Sequence, residues 1–229
     1  MGGKGGGGCA EGRAGGADVA GEAGAGAKAE ASGRGTKHKV SPPTLTVIAG
    51  ANGCGKSTLT KWGRDFFQSE ANLDADAASV DLQARESAPV GRIEAGREVL
   101  SAATELLSKG TSFSVETTLS GSTYLRMLAE AKRRAYRTRL LYIGTEDISI
   151  NIARVHARVL KGGHDVPLED QRRRYGRSFA NLPKALALAD EAVLLDNSSS
   201  EGHRIVAVKR EGQALRFVGE RPHWAASLG

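Results

Sequence analysis

The chain has 229 residues and carries a net charge of +6, with 32 lysines and arginines against 26 aspartates and glutamates. Its two cysteines argue against a disulfide framework and for a reducing compartment, so we expect a cytoplasmic protein. No apolar stretch approaches the length of a membrane span, and we therefore expect no membrane contact. We do not expect nucleic acid as a partner, because no aromatic stacking surface or known nucleic-acid motif accompanies the positive charge.

The first 40 residues differ in composition from the remainder. Glycine and alanine dominate this tail, which has almost no leucine, isoleucine, phenylalanine or tyrosine. Such a segment has too few apolar side chains to build a core, so we expect it to be disordered. Residues 41–229 have an ordinary globular composition and suffice for a single folded domain.

The first predicted elements of that domain form a phosphate-binding unit. An apolar, β-branched run over residues 44–49 predicts a strand, and a helical pattern runs from Ser57 to about Phe67. Between them, residues 50–57 read Gly-Ala-Asn-Gly-Cys-Gly-Lys-Ser, which is the P-loop pattern in its expected setting. The glycines let backbone N–H groups surround a phosphate, and the helix start adds the positive end of its dipole. A nucleoside triphosphate is therefore expected to bind here.

Two side chains of the P-loop have expected chemical roles. Lys56 would reach the β- and γ-phosphates, and the Ser57 hydroxyl would ligate Mg²⁺, so the predicted cofactors are ATP and Mg²⁺. Cys54 lies beside the helix N-terminus, where a thiolate is favoured, although a small side chain tolerated in the loop is the simpler account. The residues expected to bind the nucleotide from the P-loop are Gly50, Ala51, Asn52, Gly53, Cys54, Gly55, Lys56, Ser57 and Thr58.

Strands and helices alternate along the rest of the chain. Strands are predicted to end near residues 72–76 and to cover 112–115, 138–143 and 192–195, with helices over 90–107, 124–135, 148–161 and 168–182. Two short runs, 203–209 and 214–218, predict a C-terminal β-hairpin. This order predicts an α/β fold with a parallel sheet and helices on both faces. Because ligands bind beyond the carboxyl ends of such strands, the P-loop, Asp74, Asp76 and Glu116 should share one cleft.

The class of nucleotide-binding protein is narrowed by motifs that the sequence lacks. It has neither the Leu-Ser-Gly-Gly-Gln segment of ABC transporters nor the Asn-Lys-x-Asp motif of GTPases. Its compact size suits a small-substrate kinase, in which ATP and an acceptor hydroxyl meet in one cleft. Such an enzyme needs positioning, charge stabilisation and a carboxylate that accepts the proton of the hydroxyl.

Further motifs carry a family resemblance. After the P-loop come Asp74-Ala-Asp76-Ala, Ala95-Gly96-Arg97-Glu98, Glu116-Thr117-Thr118-Leu119-Ser120, Arg158-x-x-x-Gly162-Gly163-His164-x-Val166-Pro167 and Arg173-Arg174-Tyr175-x-Arg177-Ser178-x-x-Asn181-Leu182. Over residues 43–199 the chain resembles the zeta-toxin/UDP-N-acetylglucosamine kinase family of P-loop kinases, most closely its stand-alone bacterial branch of predicted ABC-type ATPases. The resemblance implies a P-loop NTPase fold with a helical lid, and transfer of the γ-phosphate of ATP to a sugar hydroxyl. UDP-N-acetylglucosamine is the acceptor of the toxin members.

The resemblance also assigns roles around the acceptor. Asp76 is the expected general base; Asp74 is the alternative, and a helix cap is the purely structural account of Asp76. Glu116 is expected to bind the acceptor with Thr118 beside it, or else to serve Mg²⁺ through water. Arg97 would contact the phosphate or the acceptor, or form a surface ion pair with a neighbouring glutamate.

The arginines around the Gly-Gly-His-Asp-Val-Pro loop are expected to act on the transferred phosphate. A guanidinium donates a fork of hydrogen bonds to phosphate oxygens and stays charged. We expect Arg158 and Arg173 to stabilise the phosphoryl group, with Arg174 at the nucleotide, although helix phase leaves open which of Arg172, Arg173 and Arg174 points inward. On a mobile loop such residues would close a lid over the reaction.

The sequence therefore predicts a P-loop kinase domain over residues 41–229, with a zeta-toxin-like core over 43–199 and the hairpin over 203–218. The expected activity is phosphorylation of a small hydroxyl compound, with UDP-N-acetylglucosamine as the acceptor that the resemblance implies. An antitoxin is the protein partner that the same resemblance suggests. Two alternatives stay open: a kinase of a nucleotide, dinucleotide or nucleic-acid end, and a non-catalytic ATP-binding switch.

Overall fold

The computed structural model describes residues 41–62, 71–74 and 92–228, with only the backbone described at 61, 62 and 92–94. The predicted tail over residues 1–40, the predicted base Asp76 and the second half of the helix predicted to reach Phe67 lie outside the described residues. The division of the chain at residue 40 therefore stays a prediction.

Seven strands of the described ranges form one sheet. They are β1 (Thr44–Ala49), β2 (Ala71–Leu73), β3 (Phe113–Thr117), β4 (Arg137–Gly144), β5 (Glu191–Asp196), β6 (Arg204–Lys209) and β7 (Arg216–Phe217). Their order across the sheet is β2-β3-β1-β4-β5-β6-β7; the first five are parallel, and β6 and β7 each pair antiparallel with the strand before them. The predicted α/β fold with a parallel core and a terminal hairpin is confirmed.

Five α-helices connect the strands within the described ranges. They are α1 (Lys56–Trp62), α2 (Arg92–Lys109), α3 (Thr123–Arg133), α4 (Ile148–Val159) and α5 (Leu168–Leu188), and a short 3₁₀ turn covers His223–Ala225. None of the helices in these ranges combines the length and apolarity that crossing a membrane would require.

Both faces of the sheet are covered, which explains why β1 is buried from Leu45 onward. Side chains alternate between the two faces of a strand. On one face, Leu45, Val47 and Ala49 belong to the large core, which also includes residues of α3 and α5 such as Leu128 and Ala185. Ile48 instead contacts Leu59 of α1 on the opposite face. The continuous apolar run in the sequence therefore reflects a strand with helices on both sides.

Helix α5 extends further than the sequence predicts. The sequence analysis predicts its end at Leu182, and the next residue, Pro183, lacks an N–H and costs about 3 kcal/mol in a helix interior. In the structure the helix includes Pro183 and continues to Leu188. Ala185 is fully buried and Leu188 packs against the core, so the apolar contacts after the proline offset the lost hydrogen bond.

The C-terminal segment after β7 packs back onto the parallel part of the sheet. The Trp224 ring contacts those of Tyr142 and Phe179, with ring centroids 5.8 and 5.7 Å apart, and its indole N–H donates to Asp196 Oδ1 at 2.9 Å. A Cβ on Gly144 would collide with the indole ring, so the close approach of Trp224 needs glycine at the end of β4. This docking was not anticipated from the sequence.

Candidate active site

A cleft of about 600 Å³ opens at the carboxyl ends of the parallel strands, on both sides of β1. This is the place where the order of strands reverses direction, and where open α/β sheets bind ligands. The residues that line the cleft are Asn52, Gly53, Gly55, Lys56, Ser57, Thr58, Asp74, Glu116, Thr117, Thr118, Tyr124, Arg154, Arg158, Arg174, Asn197, Ser199, Ser200 and Gly202.

The P-loop between β1 and α1 is fixed by two asparagines from distant elements. Asn151 of α4 donates from Nδ2 to the carbonyl of Asn52 at 2.7 Å, and Asn197, after β5, donates to the carbonyl of Cys54 at 2.8 Å. Asn151 is buried and also accepts a hydrogen bond from the Thr145 hydroxyl. The loop is therefore held by side chains around it as well as by its own sequence.

Gly55 shows why the last glycine of the loop is needed. Its φ of +103° lies in a region that side-chain-bearing residues rarely adopt. A Cβ there would also strike the side-chain amide of Asn197 and the ring of His203. Burial lowers the pKa of His203, and the positive charge of Arg154 acts in the same direction. A hydrogen bond with the Gly55 backbone acts in the opposite direction, and the imidazole ring lies against the loop.

The Lys56 ammonium group rests on the P-loop itself. Its Nζ donates to the carbonyl of Gly50 at 2.8 Å and to that of Ala51 at 3.1 Å. A flexible lysine stem can exchange these neutral acceptors for phosphate oxygens without any change in the backbone. The Lys56 ammonium group therefore lies against the loop that would surround a phosphate.

Cys54 is a buried packing residue in this loop. The side chain is 1% exposed and lies in a small core with Ile143 and Leu195. Burial raises the pKa of its thiol more strongly than the nearby Lys56 charge lowers it. The thiolate that the helix N-terminus would favour is thus disfavoured, and the account of Cys54 as a tolerated small side chain fits this environment better.

Glu116, the fourth residue of β3, connects the acceptor motif to the P-loop helix. Its carboxylate is 6% exposed and accepts hydrogen bonds from Thr60 Oγ1 at 2.6 Å and from Ser57 Oγ at 3.3 Å. Burial raises the pKa of Glu116, as does the nearby Asp74, while the two hydroxyl groups and Lys56 lower it. A carboxylate and a hydroxyl side by side are oxygen donors of the kind that Mg²⁺ selects.

Asp74 and Thr118 lie on the same side of the cleft as Glu116. Asp74 directly follows β2, and Thr118, which follows β3, hydrogen-bonds Ser120 through its hydroxyl at 2.9 Å. Tyr124 of α3 lines this side as well, and the pKa of its phenol is raised by burial and by Asp74. The sequence analysis did not identify Tyr124, and no local pattern distinguishes it from a core aromatic residue.

Three arginines line the opposite side of the cleft. Arg154 and Arg158 lie four residues apart on α4, and Arg174 lies on α5. Arg154 is anchored by the carbonyl of Asn197, to which it donates at 2.7 Å. The sequence analysis predicted Arg158 and Arg174 but overlooked Arg154, although its spacing of four from Arg158 places both on one helix face.

Arg158 and Arg174 have different contacts. Arg158 donates from NH2 to the His164 carbonyl at 2.9 Å, while its Nε is buried with no hydrogen-bond partner among the described residues. A buried donor of this kind is uncommon in a folded protein. Arg174 lies 3.5 Å from Asn52 Oδ1 and 3.5 Å from Asp170.

Two arginines assigned to the site from the sequence lie outside the cleft, and the buried P-loop residues Gly50, Ala51 and Cys54 do not line it either. Arg173 is 54% exposed and pairs with Asp170 at 2.7 Å, so it is its neighbour Arg174 that reaches the cleft. Arg97 is exposed on α2 and does not line the cleft. Helix phase explains the first case, because successive residues on a helix point about 100° apart.

Comparison with known sequences gives one informative relative. No family model matches the chain. An uncharacterized protein of Haemophilus influenzae is 33% identical over 126 residues, which cover 55% of this chain and 88% of the relative.

Comparison with solved structures gives the fold. A chain in the crystal structure of the AvrRxo1-ORF1:AvrRxo1-ORF2 complex with ATP has a TM-score of 0.63 at 15% identity, covering 77% of this chain and 60% of that one. The chain thus spans about three fifths of the length of that neighbour. A chain of the PezAT toxin–antitoxin system of Streptococcus pneumoniae has a TM-score of 0.54 at 20% identity, covering 77% and 75% of the two chains.

Proposed function

The chain belongs to the same family as the uncharacterized Haemophilus influenzae protein, and we propose that it is an ATP-dependent phosphotransferase with a hydroxyl acceptor. One observation carries this proposal: a single cleft contains the P-loop lysine, two carboxylates and three arginines. Phosphoryl transfer needs little more from a protein than such a set, correctly placed. The fold shared with the AvrRxo1-ORF1:AvrRxo1-ORF2 structure containing ATP is consistent with ATP as the donor.

The residues on the P-loop side fit a nucleotide with Mg²⁺. Ser57 would hold the ion, and Glu116, which accepts the Ser57 hydroxyl hydrogen bond, would lie beside it and hold its water. When bound, Mg²⁺ neutralises charge on the phosphate oxygens. These contacts favour the metal-side role of Glu116 over direct binding of the acceptor.

The cations have separable roles in the proposed reaction. Lys56 moves from the carbonyls of Gly50 and Ala51 to the β- and γ-phosphates. Arg158 and Arg174 donate to the transferring phosphoryl group from the far side of the cleft, where charge stabilisation lowers the barrier. Arg154 holds the loop after β5 against the nucleotide.

The acceptor is activated by a carboxylate following β2. Asp76 is the proposed base, on the family resemblance; it lies outside the described residues. Asp74 is the alternative, and it lines the cleft. Thr118, on the same side, would hydrogen-bond the acceptor.

We further propose UDP-N-acetylglucosamine as the acceptor and the cytoplasm as the location. The motifs over residues 43–199 support this acceptor, together with the fold shared with a chain of a toxin–antitoxin system. A partner that blocks the cleft, in the manner of an antitoxin, is part of the same proposal. The kinase domain would cover residues 41–229, preceded by the glycine-rich tail.

Mass spectrometry of a bacterial metabolite extract tests the proposal. The extract is incubated with ATP, Mg²⁺ and the protein, in parallel with Lys56→Ala and with the surface control Arg173→Ala. We expect one added phosphate on UDP-N-acetylglucosamine with the wild type and Arg173→Ala, and none with Lys56→Ala. A phosphate on another compound would replace the acceptor and keep the mechanism. Bound ATP without any phosphorylated product would rule out the small-molecule kinase.

Asp74→Asn and Asp76→Asn then identify the base. The variant that lacks the base should lose acceptor phosphorylation by about a thousandfold while its affinity for ATP stays unchanged. The other variant should retain activity within about tenfold. Equal, small losses in both variants would show that neither carboxylate takes the proton.

A further inference from the structure

Three polar side chains of α5 have no part in the chemistry proposed above. Tyr175, Ser178 and Asn181 recur every third residue, which places them along one side of the helix, and none of them lines the cleft. Each forms a hydrogen bond outside the helix: Tyr175 Oη donates to the Thr145 carbonyl at 2.7 Å, Ser178 Oγ pairs with Tyr142 Oη at 3.0 Å, and Asn181 Nδ2 donates to the Leu119 carbonyl at 2.9 Å.

The partner of Asn181 has an unusual backbone. Leu119 has a φ of +56°, in the left-handed region that a leucine disfavours, and its side chain is fully buried. Such a conformation persists only where the surroundings hold it. Here the Leu119 N–H donates to Thr117 Oγ1 at 3.0 Å, and its carbonyl accepts from Asn181. The two polar groups of the Leu119 backbone are thus satisfied by side chains.

The turn at Leu119 determines where the end of β3 meets the cleft. Glu116, Thr117 and Thr118 line the cleft immediately before it. On α5, Arg174 lies seven residues before Asn181, which is two helical turns or about 10 Å along the axis. Helix α5 therefore carries both Arg174, which would contact the phosphate, and Asn181, which holds the loop that would contact the acceptor.

We propose that Asn181 is a positioning residue, whose bond to Leu119 fixes the loop over residues 117–120 relative to Arg174. The bond sets the distance between the arginine that stabilises the phosphoryl group and the loop that orients the acceptor. The catalytic consequence rests on the proposed function, because the distance matters only if phosphate is transferred across the cleft. The bond itself can be tested without any reaction.

Asn181→Asp and Ser178→Ala form a matched pair of variants. The aspartate keeps the size of the side chain, removes the N–H donor and places a carboxylate against the Leu119 carbonyl. Ser178→Ala removes a buried hydrogen bond from the same helix that is directed at the core residue Tyr142. Asn181→Ala, which loses the donor without adding charge, replaces the aspartate if that variant does not fold.

Amide hydrogen exchange without nucleotide gives the first measurement. We expect exchange in a peptide covering residues 117–122 to become about tenfold faster in Asn181→Asp, because the strained turn opens locally. In Ser178→Ala it should stay within about twofold of the wild type, and a P-loop peptide should be unchanged in both. Unchanged exchange over residues 117–122 in the Asn181 variants would overturn the proposal.

Steady-state kinetics with UDP-N-acetylglucosamine as the acceptor gives the second measurement. In Asn181→Asp we expect the acceptor KM to rise about tenfold while the KM for ATP stays within about twofold. Ser178→Ala should change neither. Faster exchange with an unchanged acceptor KM would make Asn181 merely structural and overturn its positioning role. If the wild type transfers no phosphate to UDP-N-acetylglucosamine, the proposed acceptor fails, and the exchange data decide alone on Asn181.

Discussion

The carboxylate of Glu116 is almost fully buried and yet faces Ser57, the residue that would hold a metal ion. Burial favours the protonated form, whereas a metal site needs the charged one. The hydrogen bonds from Ser57 and Thr60 offset part of the cost, but the pKa of Glu116 stays above its ordinary value. The free protein is therefore less stable with Glu116 ionised than it would be with a neutral residue.

Glu116→Gln should accordingly raise stability and lower activity. Because the folded-state pKa is raised, the contribution of Glu116 to stability is present below about pH 4.5 and is lost as the pH rises through the folded value. We expect the variant to melt about 2–4 °C above the wild type at pH 7, with a smaller difference towards pH 5. Phosphoryl transfer should fall about a hundredfold.

Melting curves between pH 5 and pH 8, together with initial rates, check the Glu116 prediction. The exposed Glu105 of α2 provides the control, since Glu105→Gln should change neither quantity. A Glu116→Gln variant that melts below the wild type at pH 7 would contradict the assignment of a destabilising buried charge.

At the scale of elements, helix α5 directs two adjacent arginines, Arg173 and Arg174, towards different environments. Both Arg173 and Arg174 pair with Asp170, but only Arg174 lines the cleft. Three polar side chains anchor α5 to neighbouring elements. Arg174 therefore belongs to an anchored helix, which the sequence analysis predicted over residues 168–182; the closing of a lid over the reaction stays a prediction.

Arg174→Ala and Arg173→Ala should separate these roles. Removal of Arg174 takes a positive charge from the transferring phosphate and should lower kcat/KM by about a hundredfold. Removal of Arg173 loses only an exposed ion pair, so kcat/KM and the melting temperature should stay close to those of the wild type. Initial rates at subsaturating ATP measure both variants, and similar losses in the two would mean that Arg173 also acts in the site.

Local patterns in the sequence predict the P-loop and the strands well, because spacing and β-branched runs are properties of consecutive residues. The choice between Arg173 and Arg174 depends on the rotation of α5 about its axis, which is set by the packing of Leu182 and Ala185 against a core built from distant parts of the chain. Arg154 had a local signal, its spacing from Arg158, but its role depends on contact with Asn197, 43 residues away. Long-range contacts of this kind have no trace in one sequence.

At the scale of the whole domain, the last residues of the chain complete the core. Trp224 covers Tyr142 and Phe179, and Leu228 is buried in the same cluster. Tyr142 belongs to β4, which pairs directly with β1, and Phe179 belongs to α5. The C-terminal segment therefore stabilises the two elements that hold the P-loop and Arg174 in place.

Trp224→Ala should destabilise the protein by about 3 kcal/mol, the usual cost of removing a large aromatic side chain from a core. Urea denaturation followed by circular dichroism measures this loss. His223→Ala is the control, because the neighbouring His223 contacts Glu146 through its backbone N–H and its side chain is exposed. Equal losses in the two variants would mean that the segment does not contribute through the indole ring.

The strand order also separates negative from positive side chains across the cleft. Within the described residues, Asp74 follows β2 and Glu116 lies near the end of β3. Both strands are on the same side of β1, so the two carboxylates line that side of the cleft. Arg154, Arg158 and Arg174 lie on helices that follow β4, on the other side. The field between these two sets would orient an approaching polyphosphate before any contact forms, with its charged end towards the arginines. High salt should therefore slow nucleotide association more than dissociation, a kinetic signature of steering by the fold itself.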